Sequence, residues 1–296
     1  MSSTAVQSDL SAWITRIIQD FCDGPENTLR DVTNERAWDA PLVGFANGAD
    51  HIFEVYKNVV GPFHWTPLEI FNLAHPGVSA KAEDLTVIVM VLPQTTATKR
   101  DNSRQTVYLA ERWARSRVFG EQFNGKLRQH VAATLTAAGY PAVAPSSAPQ
   151  AKIHDSEKYV YASTWSERHA AHAAGLGTFG LCDGLITPVG KAVRISSVVA
   201  RIAIAPTFRP YTDYRAYCLF FSHGTCGNCI DRCPAGALSE AGHDKVKCKA
   251  HLDVSRLHVK ENYGFDGYGC GLCQVGVPCE SGIPNAKNEV LTRYQG

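Results

Sequence analysis

A layered α/β domain followed by a small cysteine-rich module is the fold class this sequence predicts. Three observations predict it. An unbroken apolar run, Leu85-Thr-Val-Ile-Val-Met-Val-Leu92, lies among stretches whose apolar residues recur at helical spacing. Eight of the ten cysteines fall between Cys218 and Cys279. At 45% hydrophobic and 19% charged, the 296 residues have the composition of an ordinary globular protein with material for a substantial core. The expected division is residues 1–205 for the α/β domain and 206–296 for the module.

Residues 8–22 read as an amphipathic helix, with Ser8 as N-cap and Leu10, Trp13, Ile14, Ile17, Ile18 and Phe21 on one face. Cys22 at its end reads as a small buried hydrophobe. Residues 23–60 show no clear pattern. Gly61 to Pro67 is proline-punctuated and aromatic, hence a loop. His64 within it either packs with its ring nitrogens hydrogen-bonded or faces a planar cofactor, and it is left unassigned.

The run 85–92 is β-branched and stopped by Pro93, which predicts a central strand covered on both sides. Two helices are expected over 104–119 and 121–138, separated by Gly120. Phe123, Leu127, Val131 and Leu135 recur every four residues in the second, and Gly139 ends it. Residues 141–149 form a connector with a short strand. Tyr159-Val-Tyr161-Ala alternates as a strand does. A third helix starts at N-cap Ser166 and runs to Ala174, followed by a glycine-rich turn over 175–180. Strands at 184–187 and 193–204 complete the domain, and 205–217 leads to the cysteines.

A net charge of +1 offers no bulk electrostatic attraction for nucleic acid or a membrane surface. Lys245, Lys247 and Lys249 read as a solvated face. No apolar run reaches the ~18–20 residues that span a bilayer. The first residues lack a basic n-region, an apolar h-region and a twin-arginine pair, so the expected compartment is the cytoplasm. There, cysteines bind metal rather than pair as disulfides.

Gly175-Leu-Gly177-Thr-Phe-Gly180 fits the dinucleotide fingerprint G-x-G-x-x-G. That motif works only when a strand precedes it and a helix follows. Here a helix precedes it, which would offer a pyrophosphate the wrong end of the dipole. The expectation is a tight turn or a close backbone approach to a bulky ligand. His169 and His172 lie three apart on the preceding helix. Two histidines make a poor metal site, which favours surface or supporting roles.

Cys226, Cys229 and Cys233-Pro234 read C-x2-C-x3-C-P, and Cys270, Cys273 and Cys279 read C-x2-C-x5-C, with Cys248 between the groups. Bacterial-type ferredoxins use C-x2-C-x2-C-x3-C-P, the fourth cysteine of each run ligating the other cluster. The ordinary first ligand position falls on His223. Either His223 replaces that thiolate or Cys218 reaches in, and all-cysteine ligation favours Cys218. Crossed pairing then puts one [4Fe–4S] cluster on Cys218, Cys226, Cys229 and Cys279. The other uses Cys233, Cys248, Cys270 and Cys273. Structural zinc is the alternative, disfavoured by the C-P ending and the interleaved ligands.

Glu167-Arg-His-Ala-Ala-His-Ala-Ala-Gly-Leu-Gly-Thr-Phe-Gly-Leu, the following Leu185-Ile-Thr-Pro188 and the double-cluster module resemble the epoxyqueuosine reductase and reductive dehalogenase superfamily over about residues 80–280. The resemblance implies a nitroreductase-like α/β sandwich that holds cobalamin base-off near Gly175, Gly177 and Gly180. It also implies a ferredoxin-like two-[4Fe–4S] domain feeding electrons to cobalt, and an acid that supplies a proton. The second cysteine run departs from the family pattern, with x5 and C-E in place of x3 and C-P. The family's aspartate proton donor, 14 residues before Gly175, falls on Tyr161. Reductive dehalogenases use a tyrosine, which makes Tyr161 the candidate acid. With an ordinary pKa near ~10 it is protonated at neutral pH.

The expected function is an iron–sulfur reductase acting on a small molecule or modified nucleoside, fed by a low-potential donor such as ferredoxin or flavodoxin. Its rivals are FMN in place of cobalamin, and an electron-transfer protein with no small-molecule cavity beside the clusters.

Overall fold

The computed structural model describes residues 3–285. In chain order, helix α1 (Ser3–Asp23) leads to strand β1 (Leu42–Asn47), helices α2 (Ile52–Val59) and α3 (Pro67–Ala74), and strand β2 (Leu85–Pro93). Then come α4 (Thr96–Ser103), α5 (Glu111–Arg115), a π-helical turn (Ser116–Gly120), α6 (Glu121–Ala137) and β3 (Ala142–Val143). A hairpin β4–β5 (Ile153–Ser156, Val160–Ser163) precedes α7 (Glu167–Ala173), the short pair β6–β7 (Thr178–Phe179, Leu185–Ile186) and β8 (Val193–Arg201). The cysteine segment carries α8 (Leu219–His223), α9 (Asn228–Asp231), the pair β9–β10 (Leu238–Ser239, Gly242–His243) and α10 (Lys245–Tyr263).

The main sheet runs β1-β2-β8-β3, and every pairing in it is antiparallel. β2 is central and buried along all nine residues, because period-2 alternation feeds two cores at once. Ile88, Met90 and Leu92 face Ile14 and Ile18 of α1 and Phe123, Leu127, Val131 and Leu135 of α6. Val87, Val89 and Val91 face Phe53 of α2, Ile70 and Phe71 of α3, and Ala170 and Ala171 of α7. The result is three layers, helices on both faces of one sheet, with each large apolar side chain contributing about 1.5–3 kcal/mol through burial.

Several expectations shift. α1 begins at Ser3, which makes Ser8 an interior residue rather than the cap. Cys22 is fully buried in the α1–α6 core, and burial beside Asp23 pushes its thiol up to about 12, so it is an inert hydrophobe. The unpatterned stretch 23–60 contains β1 and α2. Residues 104–110 are not helical, and Gly120 is no break: α5, the π turn and α6 run on continuously. At the end of the π turn the buried Trp38 indole donates to the Gly120 carbonyl at 3.0 Å. Ser116 in the same turn donates to Gln94 at 2.9 Å.

The cysteine segment packs onto this body through Val259 and Val275, which meet Leu109, Trp113 and Ala114. Its long helix α10 is capped by Asp244, whose carboxylate accepts from Val246 and Lys247 at 2.9 and 3.0 Å. Among the described residues no helix is long and apolar enough to cross a membrane.

Candidate functional site

The cysteines divide between two cavities. Cys218, Cys226, Cys229 and Cys279 line a small one roofed by Gly180, Leu181 and Ile186. Cys233, Cys248, Cys270 and Cys273 line a much larger one of ≈ 740 Å³, whose remaining wall comes from α5, the π turn, α6, α7 and β8. None of the ten cysteines is disulfide-bonded. Local turns deliver them: Cys218 is the N-cap of α8, Cys229 lies within α9, and Cys233 accepts from the Ala237 N–H at 3.3 Å. His223 is exposed at the end of α8, bonded to Ser222 Oγ at 2.8 Å, and lines neither cavity. Among the described residues no three His, Cys, Asp or Glu side chains converge on a single-ion position.

The large cavity is basic on its far wall. Arg194 pairs with Glu121, which Arg128 also approaches at 3.5 Å, and the two guanidinium groups hold the Glu121 carboxyl below its ordinary range despite burial. Arg117, delivered by the π turn, donates to the Tyr268 phenol at 2.7 Å and is desolvated beside Arg194. Burial and that neighbouring charge draw its pKa down from the usual arginine value. Trp38, Trp113 and Trp165 supply apolar surface.

Glu167 also lines the cavity. Its carboxyl accepts from Ser146 at 2.6 Å and Ser197 at 2.5 Å, and Ser197 in turn accepts from the Trp165 indole at 2.9 Å. Burial outweighs those hydrogen bonds and raises its pKa, favouring the protonated acid. It begins the motif that carried the resemblance, yet nothing in the sequence marked its carboxyl as buried beside a cavity.

Tyr161 stands at the margin. It lies on the same face of β5 as Ser163, which lines the cavity, one pleat further out. Its carbonyl accepts from the Lys245 ammonium at 3.2 Å, and the same ammonium sits 5.2 Å from its ring. Burial and the nearby Cys248 raise the phenol's pKa above the ordinary value, so it keeps its proton at neutral pH. Lys245 is therefore packed against aromatic rings, not part of a wholly solvated face.

The glycines of the 175–180 turn approach protein, not open space. Gly175 has φ +74°, and a β-carbon there would lie 2.5 Å from the Phe208 carbonyl oxygen. One at Gly177 would lie 2.4 Å from that of Ile186. Neither glycine lines either of the two cysteine cavities, whereas Gly180 lines the small one. Their evident work is to fold the chain tightly between α7 and the cysteines.

His64 and His172 are buried and His169 is half-buried. Ser166 N–H donates to His64 Nε2 at 3.2 Å, and His64 stacks on Trp165 at 6.0 Å. His172 Nδ1 bonds the Tyr56 phenol at 2.8 Å, and His169 Nδ1 bonds Ser166 Oγ at 2.8 Å. A surface role for His172 is thereby replaced by a packed one, and His64 takes the packing alternative. Desolvation depresses all three, His64 and His172 to about 4.

No family model matches the chain. Over 40% of its length it is 33% identical to an epoxyqueuosine reductase of Bacillus anthracis. Over 48% it is 29% identical to that of Staphylococcus aureus. Part of the chain is thus similar in sequence to epoxyqueuosine reductases. The matched stretches span 30% and 37% of those relatives' lengths. A solved epoxyqueuosine reductase from Bacillus subtilis aligns over 84% of this chain and 63% of its own, at 17% identity and a TM-score of 0.43.

Proposed function

We propose that this protein is an iron–sulfur reductase in which residues 206–296 deliver single electrons to a cofactor and substrate bound against residues 1–205. The observation that carries the reading is the composition of the large cavity: four cysteines and their neighbours in the cysteine segment form one side and the α/β body forms the other. An electron-transfer protein without chemistry of its own has no need of such a chamber, which at ≈ 740 Å³ lies in the range of small-molecule sites.

Cys218, Cys226, Cys229 and Cys279 would hold one [4Fe–4S] cluster, and Cys233, Cys248, Cys270 and Cys273 the other. The donor sets fit, four thiols to each cavity. The cavity's size, its tryptophan surfaces and its guanidinium groups also fit a large ring with a polar periphery, such as a base-off corrinoid. When bound, the clusters supply one-electron steps and the corrinoid supplies a reduced cobalt centre for reductive chemistry on a small molecule or modified nucleoside. The chain's own residues bind and protonate. Arg117 and Arg194 would receive an anionic or strongly polar group, and Tyr161 and Glu167, whose phenol and carboxyl burial both shifts upward, are candidate proton carriers at the chamber. Bound FMN would fill the same space. A ferredoxin- or flavodoxin-type donor would supply the electrons.

Anaerobic purification with iron and sulfide analysis tests the reading. About eight irons per chain are expected, and fewer than about six would remove the two-cluster assignment. Titration with cobalamin should perturb the corrinoid spectrum. An unchanged spectrum, with FMN released on denaturation, would replace the corrinoid by flavin.

A further inference from the structure

Two side chains outside the eight-cysteine set occupy the partition between the cavities. Cys182, between β6 and β7, is buried, and Lys191, just before β8, is 3% exposed. The Lys191 ammonium donates to Cys182 Sγ at 3.4 Å. Lys191 lines both cavities. Cys182 packs in one cluster with Cys229 of one set and Cys273 of the other, and lines the large cavity with Cys273.

The backbone holds this arrangement in place. Lys191 N–H donates to the Cys279 carbonyl at 2.9 Å, and Ala192 N–H donates to that of Glu280 at 3.3 Å. Gly190 has φ +87°, and a β-carbon there would lie 2.1 Å from the Glu280 carbonyl oxygen. Glycine thus permits the turn to carry Lys191 against the cysteines. A buried ammonium needs a compensating anion. The groups around Lys191 are sulfurs: Cys182 at 3.4 Å, and the cysteines that line the two cavities with it.

Resting on the two-cluster reading above, we propose that Lys191, anchored by Cys182, is a buried cation shared by both clusters that raises their reduction potentials. Reduction adds one negative charge to a cluster. A nearby fixed positive charge stabilises that reduced form, and hydrogen bonds to the ligand sulfurs act in the same direction. With Cys229 and Cys273 ligating as thiolates, the Cys182 S–H can donate to either while its lone pair accepts from Lys191. One side chain pair thereby reaches both clusters.

The test is an EPR-monitored redox titration, with iron analysis, of anaerobically prepared wild type, Lys191→Met, Lys191→Arg and Cys182→Ala. All four should carry about eight irons. At the wild-type midpoint, Lys191→Met should lower the ratio of reduced to oxidised cluster at least about tenfold, about 59 mV for a one-electron couple. Lys191→Arg should stay within about twofold of wild type, and Cys182→Ala should shift the ratio the same way by less. Wild-type potentials in iron-replete Lys191→Met would overturn the inference. Loss of about four irons from Cys182→Ala would overturn it differently, by making Cys182 a ligand. If Lys191→Met fails to load, an unshifted potential in Cys182→Ala overturns it. Iron-poor wild type would instead bring down the two-cluster reading and the inference with it.

Discussion

Acidification should destabilise this protein through imidazoles buried around Tyr56, in a pH window above that of its carboxylates. His64 and His172 are 1% and 6% exposed, and desolvation lowers each from 6.5 to about 4. His64 Nδ1 and His172 Nε2 have no hydrogen-bond partner to stabilise an added proton. In the unfolded chain each imidazole takes up its proton as the pH falls through about 6.5, while in the folded chain it stays neutral until about 4. The unfolded state therefore binds more protons across that interval, and stability falls with falling pH. The loss levels off below about 4, where both states are protonated. Going from pH 7 to 5, each residue contributes about 2 kcal/mol, so the pair costs about 4 kcal/mol, or roughly 10 °C in Tm. The rings lie 6.0 and 6.3 Å from Tyr56, so the two contributions are not strictly additive. Glu69 and Glu121, whose carboxyls are held low, lose their contribution only below about 4.5, their unfolded value. The assay is thermal unfolding by circular dichroism of anaerobic wild type, His64→Gln and His172→Asn at both pH values. Each variant should lose clearly less Tm between pH 7 and 5 than wild type, the rest of the loss coming from the other imidazole and from His169, which burial also depresses. Identical losses in all three proteins would refute the reasoning.

Cys229→Ala and Cys270→Ala should each retain about four of eight irons, losing different clusters, as iron analysis with EPR would register. Arg117→Gln should raise KM or Kd for an anionic ligand about 10- to 100-fold while leaving melting temperature nearly unchanged, measurable by steady-state kinetics or titration. Of Tyr161→Phe and Glu167→Gln, the one that removes the proton donor should cut turnover about 10²- to 10⁴-fold with unchanged iron content. Equal, small effects from both would assign the proton to solvent. Leu127→Ala, in the fully buried seam of α6, should cost about 2–5 kcal/mol in chemical denaturation.

Much of the fold was legible because burial writes periodicity into a sequence. The run at 85–92 had to be central, since apolar residues on both pleats need cover on both faces, and Phe123, Leu127, Val131 and Leu135 could only form one helical stripe. Helix α10 escaped notice for the converse reason: Ser255 and Val259 are its buried residues, while Val254 and Leu257 are exposed, so its apolar pattern points nowhere. Gly120 looked like a break because sequence carries no sign of a π turn or of a distant indole bonding to its carbonyl.

At the site, chemistry was readable where it depended on spacing. The cysteine intervals, read on the ferredoxin pattern, sorted eight thiols into the same two fours that line the two cavities. Spacing is silent about what lies across a cavity. Only the tertiary structure brought Arg117 and Arg194 to one wall, put the Glu167 carboxyl in a setting that favours its proton, and turned the 175–180 glycines towards protein backbone. It alone set Lys191 and Cys182 between the two groups of sulfurs. Those roles arise from desolvation and from charges that neighbour one another in space, and neither property belongs to a residue until the chain has folded around it.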